Sequence, residues 1–289
     1  MSSSPPRYHP VPSPSPTAAA RSTLFVPATR LDRVDKALAA GADHVVIDLE
    51  DAVEPSAKVA ARADLAAFLA ARAGAALLVR INGVDTDWHA DDVAVCTQHQ
   101  AVAGIMLPKA EDADAAARVA RTRPVWAIVE SARGLLALSE LARVPGLARF
   151  MLGTLDLGVD LGLAANSAAA AALLDQARYQ MLVHSRAAGL AAPIDGVYPR
   201  LDDVDGLRRH VARARDMGFG GVGCIHPAQV AIVHQVFAPA PVELDWARRV
   251  LDEAARTGLG AFRLDGEMVD APVIARARAV LDRAGGPMS

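Results

Sequence analysis

Eight short apolar runs, separated by longer stretches with the period of a helix, dominate the sequence. Most of the runs hold four to six Val, Ile, Leu, Met or Phe residues, as strands buried on both faces do. The runs are Ser22–Pro27, His44–Leu49, Ala76–Ile81, Gly104–Pro108, Val125–Val129, Arg149–Leu152, Ala191–Val197 and Gly220–Ile225. Eight buried strands are enough to close a barrel.

The stretches between the runs are rich in Ala, Arg and Asp and predict helices. They are Arg30–Ala40, Ser56–Ala73, Glu111–Arg121, Arg133–Ala142, Ala169–Ala188 and Leu201–Met217. Gly41, Gly74, Gly189 and Gly218 follow four of them, where glycine commonly ends a helix. Alternating strands and helices predict a parallel sheet, and eight units predict a (β/α)8 TIM barrel. A Rossmann fold is disfavoured because its Gly-rich turn does not follow the first run.

Both ends of the chain differ from this repeat. Residues 1–20 are rich in Ser and Pro, so we expect a disordered tail. The barrel is predicted to span 21–238. Residues 239–289 are predicted to form a C-terminal helical arm that packs on its own barrel or reaches a neighbouring subunit. Its predicted elements are two helices, Leu244–Thr257 and Pro272–Arg283, flanking a short segment, Ala261–Asp270.

Composition excludes several classes of partner. The chain has 30 basic and 33 acidic residues, a net charge of -3 and no long run of one sign, so neither nucleic acid nor an anionic membrane is expected as a partner. No apolar stretch approaches the ~20 residues of a membrane helix. The N-terminus lacks the apolar region of a secretory signal. Cys96 and Cys224 lie far apart in apolar surroundings, which indicates buried thiols in a reducing cytoplasm.

Polar residues collect at the carboxyl ends of the predicted strands, where barrels of this kind carry their chemistry. In strand order they are Asp48, Glu50 and Asp51, then Arg80 and Asn82, then Lys109, Glu130, Asp156, Asp195 and His226. Because successive side chains of a strand point to opposite faces, only about half of them can face the barrel mouth.

Glu130 and Asp156 are the strongest candidates for metal ligands. Glu130 directly follows the apolar WAIV, and Asp156 closely follows the apolar FML. Mg²⁺ prefers oxygen ligands and needs only one or two protein carboxylates. A carboxylate directly after a buried strand is also costly to leave unpaired. We therefore predict a shared Mg²⁺ site, the alternative being that both are helix caps or solvated acids.

Three other residues leave alternatives open. Arg80 ends the apolar AALLVR and either binds an anionic substrate through its planar fork or forms an ion pair with Asp48 or Glu50. Lys109 either neutralises substrate or pairs with a local acid. His226 is interpreted as an ordered wall residue of the site, the alternative being a ligand or catalytic residue.

The motifs as a set resemble those of a known family. They are RSTLFVPATR, VVIDLEDAV, VRING, IMLPKAE, IVESARG, GTLDL, IDGVY, CIHPAQV and GEMVDAP. In this order, from residue 21 to about 280, they resemble the citrate lyase β-subunit-like (CitE-like) members of the HpcH/HpaI aldolase family. The resemblance implies a (β/α)8 barrel, homotrimers or larger assemblies, Mg²⁺, and acyl-CoA or acyl-carrier thioesters as substrates.

The resemblance also implies roles for individual residues. Glu130 and Asp156 match the metal ligands, with Glu130 also contacting substrate, and Arg80 matches a clamp on the oxo-acid. The DLED acids Glu50 and Asp51 would support the metal waters and neighbouring charges.

For two residues, Asp270 and Leu155, the resemblance leaves a question open. Asp270, in GEMVDAP, matches an acid/base that an adjacent subunit delivers, although it could also simply cap the helix that follows. Leu155 is a departure, because many relatives have an acidic residue before the aspartate that matches Asp156; this puts the identity of the substrate in question.

The expected reaction is Mg²⁺-dependent carbon–carbon cleavage of a 3-hydroxyacyl-CoA-type thioester, such as a citryl-, malyl- or citramalyl-CoA-like compound. It would release an oxo-acid and an acyl thioester. Two alternatives remain at this point. One is a metal-dependent aldolase that releases pyruvate from a 4-hydroxy-2-oxoacid, and the other is a non-catalytic subunit that binds a carboxylate.

Overall fold

Eight parallel strands close into a barrel in their order along the chain. The computed structural model describes residues 20–72 and 76–284, so the predicted tail, except Ala20, and the helix stop at Gly74 lie outside the described residues. The strands are β1 (Ser22–Pro27), β2 (His44–Asp48), β3 (Leu77–Arg80), β4 (Val102–Leu107), β5 (Val125–Val129), β6 (Leu147–Leu152), β7 (Ile194–Asp195) and β8 (Gly221–Cys224). The predicted (β/α)8 barrel is confirmed. Ala20 is fully buried and belongs to the core rather than to a tail.

Helices connect the strands. They are α1 (Val34–Ala39), α2 (Lys58–Ala70), α3 (His89–Gln98), α4 (Ala113–Ala120), α5 (Ala132–Leu141), α6 (Thr154–Asp160), α7 (Ala168–Ala187), α8 (Val204–Asp216) and α9 (Pro227–Phe237). Short 3-10 turns, Ala28–Arg33 and Pro55–Ala57, precede α1 and α2. Gly41, Gly189 and Gly218 have φ of +74°, +70° and +86°, the left-handed backbone expected after a helix.

Sequence patterns missed α3, α6 and α9. The buried side chains of α3 are Asp92 and Cys96, so this helix has no apolar stripe to detect. Helix α6 has only seven residues and contains a glycine, which weakens its helical signal. The predicted strand Ala191–Val197 also shrinks to the two residues of β7.

The side chains inside the barrel explain where the polar residues point. A buried apolar cluster consists of Ala20, Val46, Leu78, Met106, Trp126, Ile128, Met151 and Ile194. Asp48, Arg80 and Glu130 each lie two residues beyond a member of this cluster on their own strand or at its end. Since side chains alternate, all three project to the same side as the cluster, at the carboxyl end of the barrel.

The chain divides into two compact units, with the boundary between Val233 and His234. The second unit contains α10 (Pro241–Thr257), a hairpin of β9 (Phe262–Leu264) and β10 (Glu267–Val269), and α11 (Ala271–Ala284). Its own core consists of Ala247, Val250, Val269, Ala277 and Val280. The hairpin turns through Asp265 and Gly266, both of positive φ, a sequence that favours tight hairpins.

Two further expectations concern membranes and thiols. Across residues 20–72 and 76–284, every helix is too short or too polar to cross a membrane. Cys96 and Cys224 are free and buried, as predicted. Burial raises the pKa of each thiol to about 12, so neither is a ready nucleophile.

Candidate metal and substrate site

The site starts from a pair of side chains on neighbouring strands. Asp48 and Arg80 stand opposite each other in the register of β2 and β3. Arg80 Nε donates to Asp48 Oδ1 at 2.7 Å and Nη2 donates to Oδ2 at 2.5 Å, a two-pronged contact. Arg80 Nη1 lies 2.9 Å from Glu50 Oε2 and 3.2 Å from Asp51 Oδ2. Burial disfavours the charge of Arg80, but the three acids outweigh burial and raise its pKa.

This geometry bears on the predicted role of Arg80. The alternative in which it pairs with Asp48 and Glu50 is observed. Three of the five N–H donors of its guanidinium already bond to Asp48 and Asp51, and the contact with Glu50 is an ion pair without hydrogen-bond geometry. A contact with a substrate carboxylate therefore remains a prediction, and it would use one of the two remaining donors or replace an existing contact.

Glu50 lies between two cations at the end of β2. It is 6% exposed, and Lys109 Nζ donates to its Oε1 at 2.5 Å, while Arg80 approaches Oε2. Burial nevertheless raises the pKa of Glu50, with the charges of Arg80 and Lys109 opposing the shift. Asp51, by contrast, is more than half exposed and touches Arg80 only from the rim.

Glu130 follows β5 and is 4% exposed. Its Oε1 accepts a hydrogen bond from the backbone N–H of Lys109 at 2.8 Å. Its side chain also lies against Gly153, where an added Cβ would come within 2.5 Å of both Cβ and Oε2 of Glu130. Burial, and then the negative charge of Glu50, raise the pKa of Glu130 to about 7. Glu130 is therefore held in place at a point where negative charge accumulates.

Asp156 lies in the first turn of α6, three residues after Gly153, the residue that lies against Glu130. It is exposed, and its charge adds to those that raise the pKa of Glu130, so the two carboxylates sense each other. The part of the chain that the structure describes has no group of three or more His, Cys, Asp or Glu side chains arranged to hold a metal. Mg²⁺ requires only one or two carboxylates and keeps several waters, so the pair of Glu130 and Asp156 fits it.

Charge balance supports the same conclusion. Among the described residues the cluster has three buried carboxylates, Asp48, Glu50 and Glu130, two exposed ones, Asp51 and Asp156, and two cations, Arg80 and Lys109. Buried carboxylates that outnumber their partners are destabilising unless a cation or proton compensates. A divalent cation would supply the missing charge.

Other predicted strand-end residues have structural partners. Asn82 Nδ2 donates to the buried Asp92 at 2.6 Å. Asp195 accepts from the buried Arg178 at 3.0 Å. His226 is exposed, and its Nδ1 accepts from the backbone N–H of Ala228 at the start of α9. None of these contacts joins the acid cluster.

Asp270 lies in the second unit, immediately before α11. Its Oδ1 is 3.4 Å from the backbone nitrogen of Val273, and its carbonyl accepts from Ile274 at 2.9 Å. These are the contacts of a helix N-cap, although the side-chain bond is long. The predicted catalytic role of Asp270 remains a prediction.

Two features of the site escaped the sequence prediction. One is Gly153, whose missing side chain makes room for Glu130. The other is the left-handed backbone of Lys109, with φ of +48°. The only sequence signal for the space at Gly153 is a glycine at the first position of GTLDL, directly after a buried strand. No sequence signal indicates the left-handed backbone of Lys109.

Comparisons with known proteins identify the family. The family model described as HpcH/HpaI aldolase/citrate lyase matches residues 21–227. A (3S)-malyl-CoA thioesterase of Cereibacter sphaeroides is 37% identical over 273 residues, covering 91% of this chain and 94% of the relative. A citrate lyase subunit beta-like protein of Mycobacterium tuberculosis is 39% identical over 276 residues, covering 93% and 97%. The chain belongs to the HpcH/HpaI aldolase/citrate lyase family.

A solved structure from this family agrees in fold. The structure of protein CitE from Mycobacterium tuberculosis in complex with magnesium, acetoacetate and coenzyme A superposes on this chain with a TM-score of 0.82 and 36% sequence identity. The match covers 93% of this chain and 99% of that chain. The expected departure from the family pattern at Leu155 stays a prediction. Its side chain is 54% exposed beside Asp156.

Gly153 provides the first test of the site. Gly153→Ala should weaken Mg²⁺ binding about 10–100-fold, because the new methyl displaces Glu130, a loss typical of disturbed ligand support. The backbone at Gly153, with φ of -88°, accepts alanine, so the effect should come from the contact with Glu130. Isothermal titration with Mg²⁺ measures it, alongside urea unfolding, where overpacking should cost about 1–3 kcal/mol.

The matched control is Gly158→Ala in the same helix, where an added Cβ meets nothing within 4 Å. This variant should keep the affinity of the wild type. If Gly153→Ala also binds Mg²⁺ as tightly as the wild type, the proposal that Gly153 positions Glu130 as a metal ligand is wrong.

Proposed function

We propose that the protein is a Mg²⁺-dependent carbon–carbon lyase that acts on a 3-hydroxyacyl-CoA-type thioester and releases an oxo-acid and an acyl thioester. The observation that carries the proposal is the pair of Glu130 and Asp156. Glu130 is a buried carboxylate that the Lys109 N–H and the close approach of Gly153 hold in place, and its pKa responds to the charge of Asp156. The pair occurs in a chain of the HpcH/HpaI aldolase/citrate lyase family. The related CitE structure contains magnesium, acetoacetate and coenzyme A, which supports the choice of metal and substrate class.

Glu130 and Asp156 would hold Mg²⁺, which when bound supplies a Lewis acid and a template for the oxygens of the oxo-acid. Arg80 would orient the oxo-acid carboxylate, and its contacts with Asp48 and Glu50 keep the guanidinium at the barrel mouth. Glu50 and Asp51 would accept hydrogen bonds from water at the site. Glu50 is better placed for this inside the mouth, because Asp51 lies at the exposed rim.

The chemistry requires two proton transfers. In the cleavage direction a base removes the proton of the 3-hydroxyl group, the bond between C2 and C3 breaks, and its electron pair passes to the thioester as an enolate. The hydroxyl carbon becomes the carbonyl of the oxo-acid. An acid then protonates the enolate carbon to give the acyl thioester. We assign this second transfer to Asp270, delivered from an adjacent subunit.

The assignment of Asp270 carries proposals about assembly and location. The arm 239–289 would complete the site of a neighbouring subunit, within a homotrimer or hexamer. We also place the protein in the cytoplasm, in keeping with its free, buried cysteines. Whether the acyl group is carried by coenzyme A or by a carrier protein does not alter the chemistry at the metal.

Thioester hydrolysis is a second candidate, favoured by the relative of Cereibacter sphaeroides named as a (3S)-malyl-CoA thioesterase. Hydrolysis would use the same metal and carboxylates but would direct water to the thioester carbonyl. The two reactions differ in their products: cleavage leaves the thioester intact, whereas hydrolysis frees the coenzyme A thiol.

A product assay separates the two candidates. With Mg²⁺ and a panel of malyl-, citramalyl- and citryl-CoA, the protein should release an oxo-acid from at least one substrate without stoichiometric free thiol. The oxo-acid is measured with a carbonyl reagent and the thiol with a disulfide reagent. Free thiol without oxo-acid would establish the hydrolase, and neither product from the whole panel would contradict both candidates.

Asp270→Asn tests the proposed acid. Asparagine caps a helix about as well as aspartate, so the melting temperature should be unchanged. It cannot deliver the proton, so kcat for cleavage should fall by about 10²–10⁴-fold. Asp252→Asn, an exposed change on α10 of the same unit, is the control and should keep full turnover. Full turnover in Asp270→Asn as well would reduce Asp270 to a helix cap.

A further inference from the structure

Lys109 contacts the acid cluster through two separate groups. Its backbone N–H donates to Glu130 Oε1 at 2.8 Å. Its side-chain Nζ donates to Glu50 Oε1 at 2.5 Å and lies 4.0 Å from Glu130 Oε1. One residue therefore supplies both a fixed dipole and a mobile positive charge to the two buried carboxylates.

The backbone of Lys109 shows that the first contact is built in. Its φ of +48° lies in the left-handed region, which a residue with a side chain adopts only when its surroundings compensate for the strain. The N–H bond to the buried Glu130 is part of that compensation, because the short turn after β4 directs this N–H into the site.

The side chain of Lys109, in contrast, has room to move. It is 51% exposed, and Lys109 also lines a cleft of about 310 Å³. Three further carboxylates, Asp85, Glu111 and Asp112, line the same cleft, together with Arg133. An ammonium that left the acid cluster would thus enter a space that contains other acids.

We propose that Lys109 is an exchangeable counter-cation of the metal site. In the metal-free protein its ammonium neutralises Glu50 and Glu130; when a divalent cation binds, the ammonium turns into the cleft, while the backbone N–H stays on Glu130 and keeps this ligand in position. The inference rests on the Mg²⁺ site of the proposed function, but it does not depend on which reaction the enzyme performs.

The physical reason is competition for the same negative charge. An ammonium within 4.0 Å of a carboxylate that binds Mg²⁺ would face a doubly charged cation at short range. Like charges at such a separation repel strongly even with solvent screening. Each Mg²⁺ that binds must therefore displace the ammonium, and this displacement weakens the observed affinity of the wild type.

Lys109→Gly separates the two contacts. Glycine accepts the left-handed backbone and retains the N–H that binds Glu130, but it removes the ammonium. Mg²⁺ titration calorimetry without substrate, at about pH 8, should show roughly tenfold tighter binding than in the wild type. In chelator the variant should melt at a lower temperature than the wild type, and Mg²⁺ should raise its melting temperature by more.

Two controls complete the design. Lys109→Arg keeps the charge and should bind Mg²⁺ like the wild type. Arg133→Gln removes another cation of the cleft and should leave the affinity within about twofold. Lys109→Asn, which also tolerates the left-handed backbone, replaces the glycine variant if that one does not fold.

Equal or weaker Mg²⁺ binding by a folded Lys109→Gly or Lys109→Asn variant would overturn the exchange. Absence of Mg²⁺ binding in the wild type would overturn the metal site and the exchange together. A wild type that binds Mg²⁺ but cleaves no thioester would contradict only the proposed lyase, leaving the exchange to be judged by the relative affinities.

Discussion

Repulsion between Glu50 and Glu130, two buried carboxylates at one end of a barrel, is the interaction on which the rest of the site depends. Burial, and then the negative charge of Glu50, raise the pKa of Glu130 to about 7. Arg80 on β3 and the ammonium and N–H of Lys109 after β4 oppose that repulsion. Gly153, before α6, leaves room for the side chain of Glu130. In the proposed function a divalent cation would complete the balance.

Strand alternation places charged side chains at this end of the barrel. Asp48, Arg80 and Glu130 follow apolar residues on the inner faces of β2, β3 and β5, so the same period that fills the barrel with apolar side chains directs polar ones to its mouth. Ligands held by strands and by backbone N–H groups need little reorganisation when a metal binds.

The sequence predicted the barrel well because buried parallel strands leave an unmistakable apolar pattern, and it predicted which residues stand at the strand ends. It could not predict contacts that depend on register. The ion pair of Arg80 with Asp48 depends on the register that places them opposite each other, and its contact with a substrate stays a prediction. The partner of Lys109 stayed open because the acid it contacts, Glu50, follows a different strand and lies 59 residues away in the sequence. Helix α3 was missed because its buried face carries Asp92 rather than an apolar stripe.

A crystal structure of the protein grown with Mg²⁺ and oxaloacetate would locate the metal directly. We expect one ion with an oxygen of Glu130 and an oxygen of Asp156 each at about 2.1 Å, the remaining positions being filled by water or oxo-acid. An ion bound instead by Glu50 and Asp51, with Asp156 turned away to solvent, would contradict the proposed metal site.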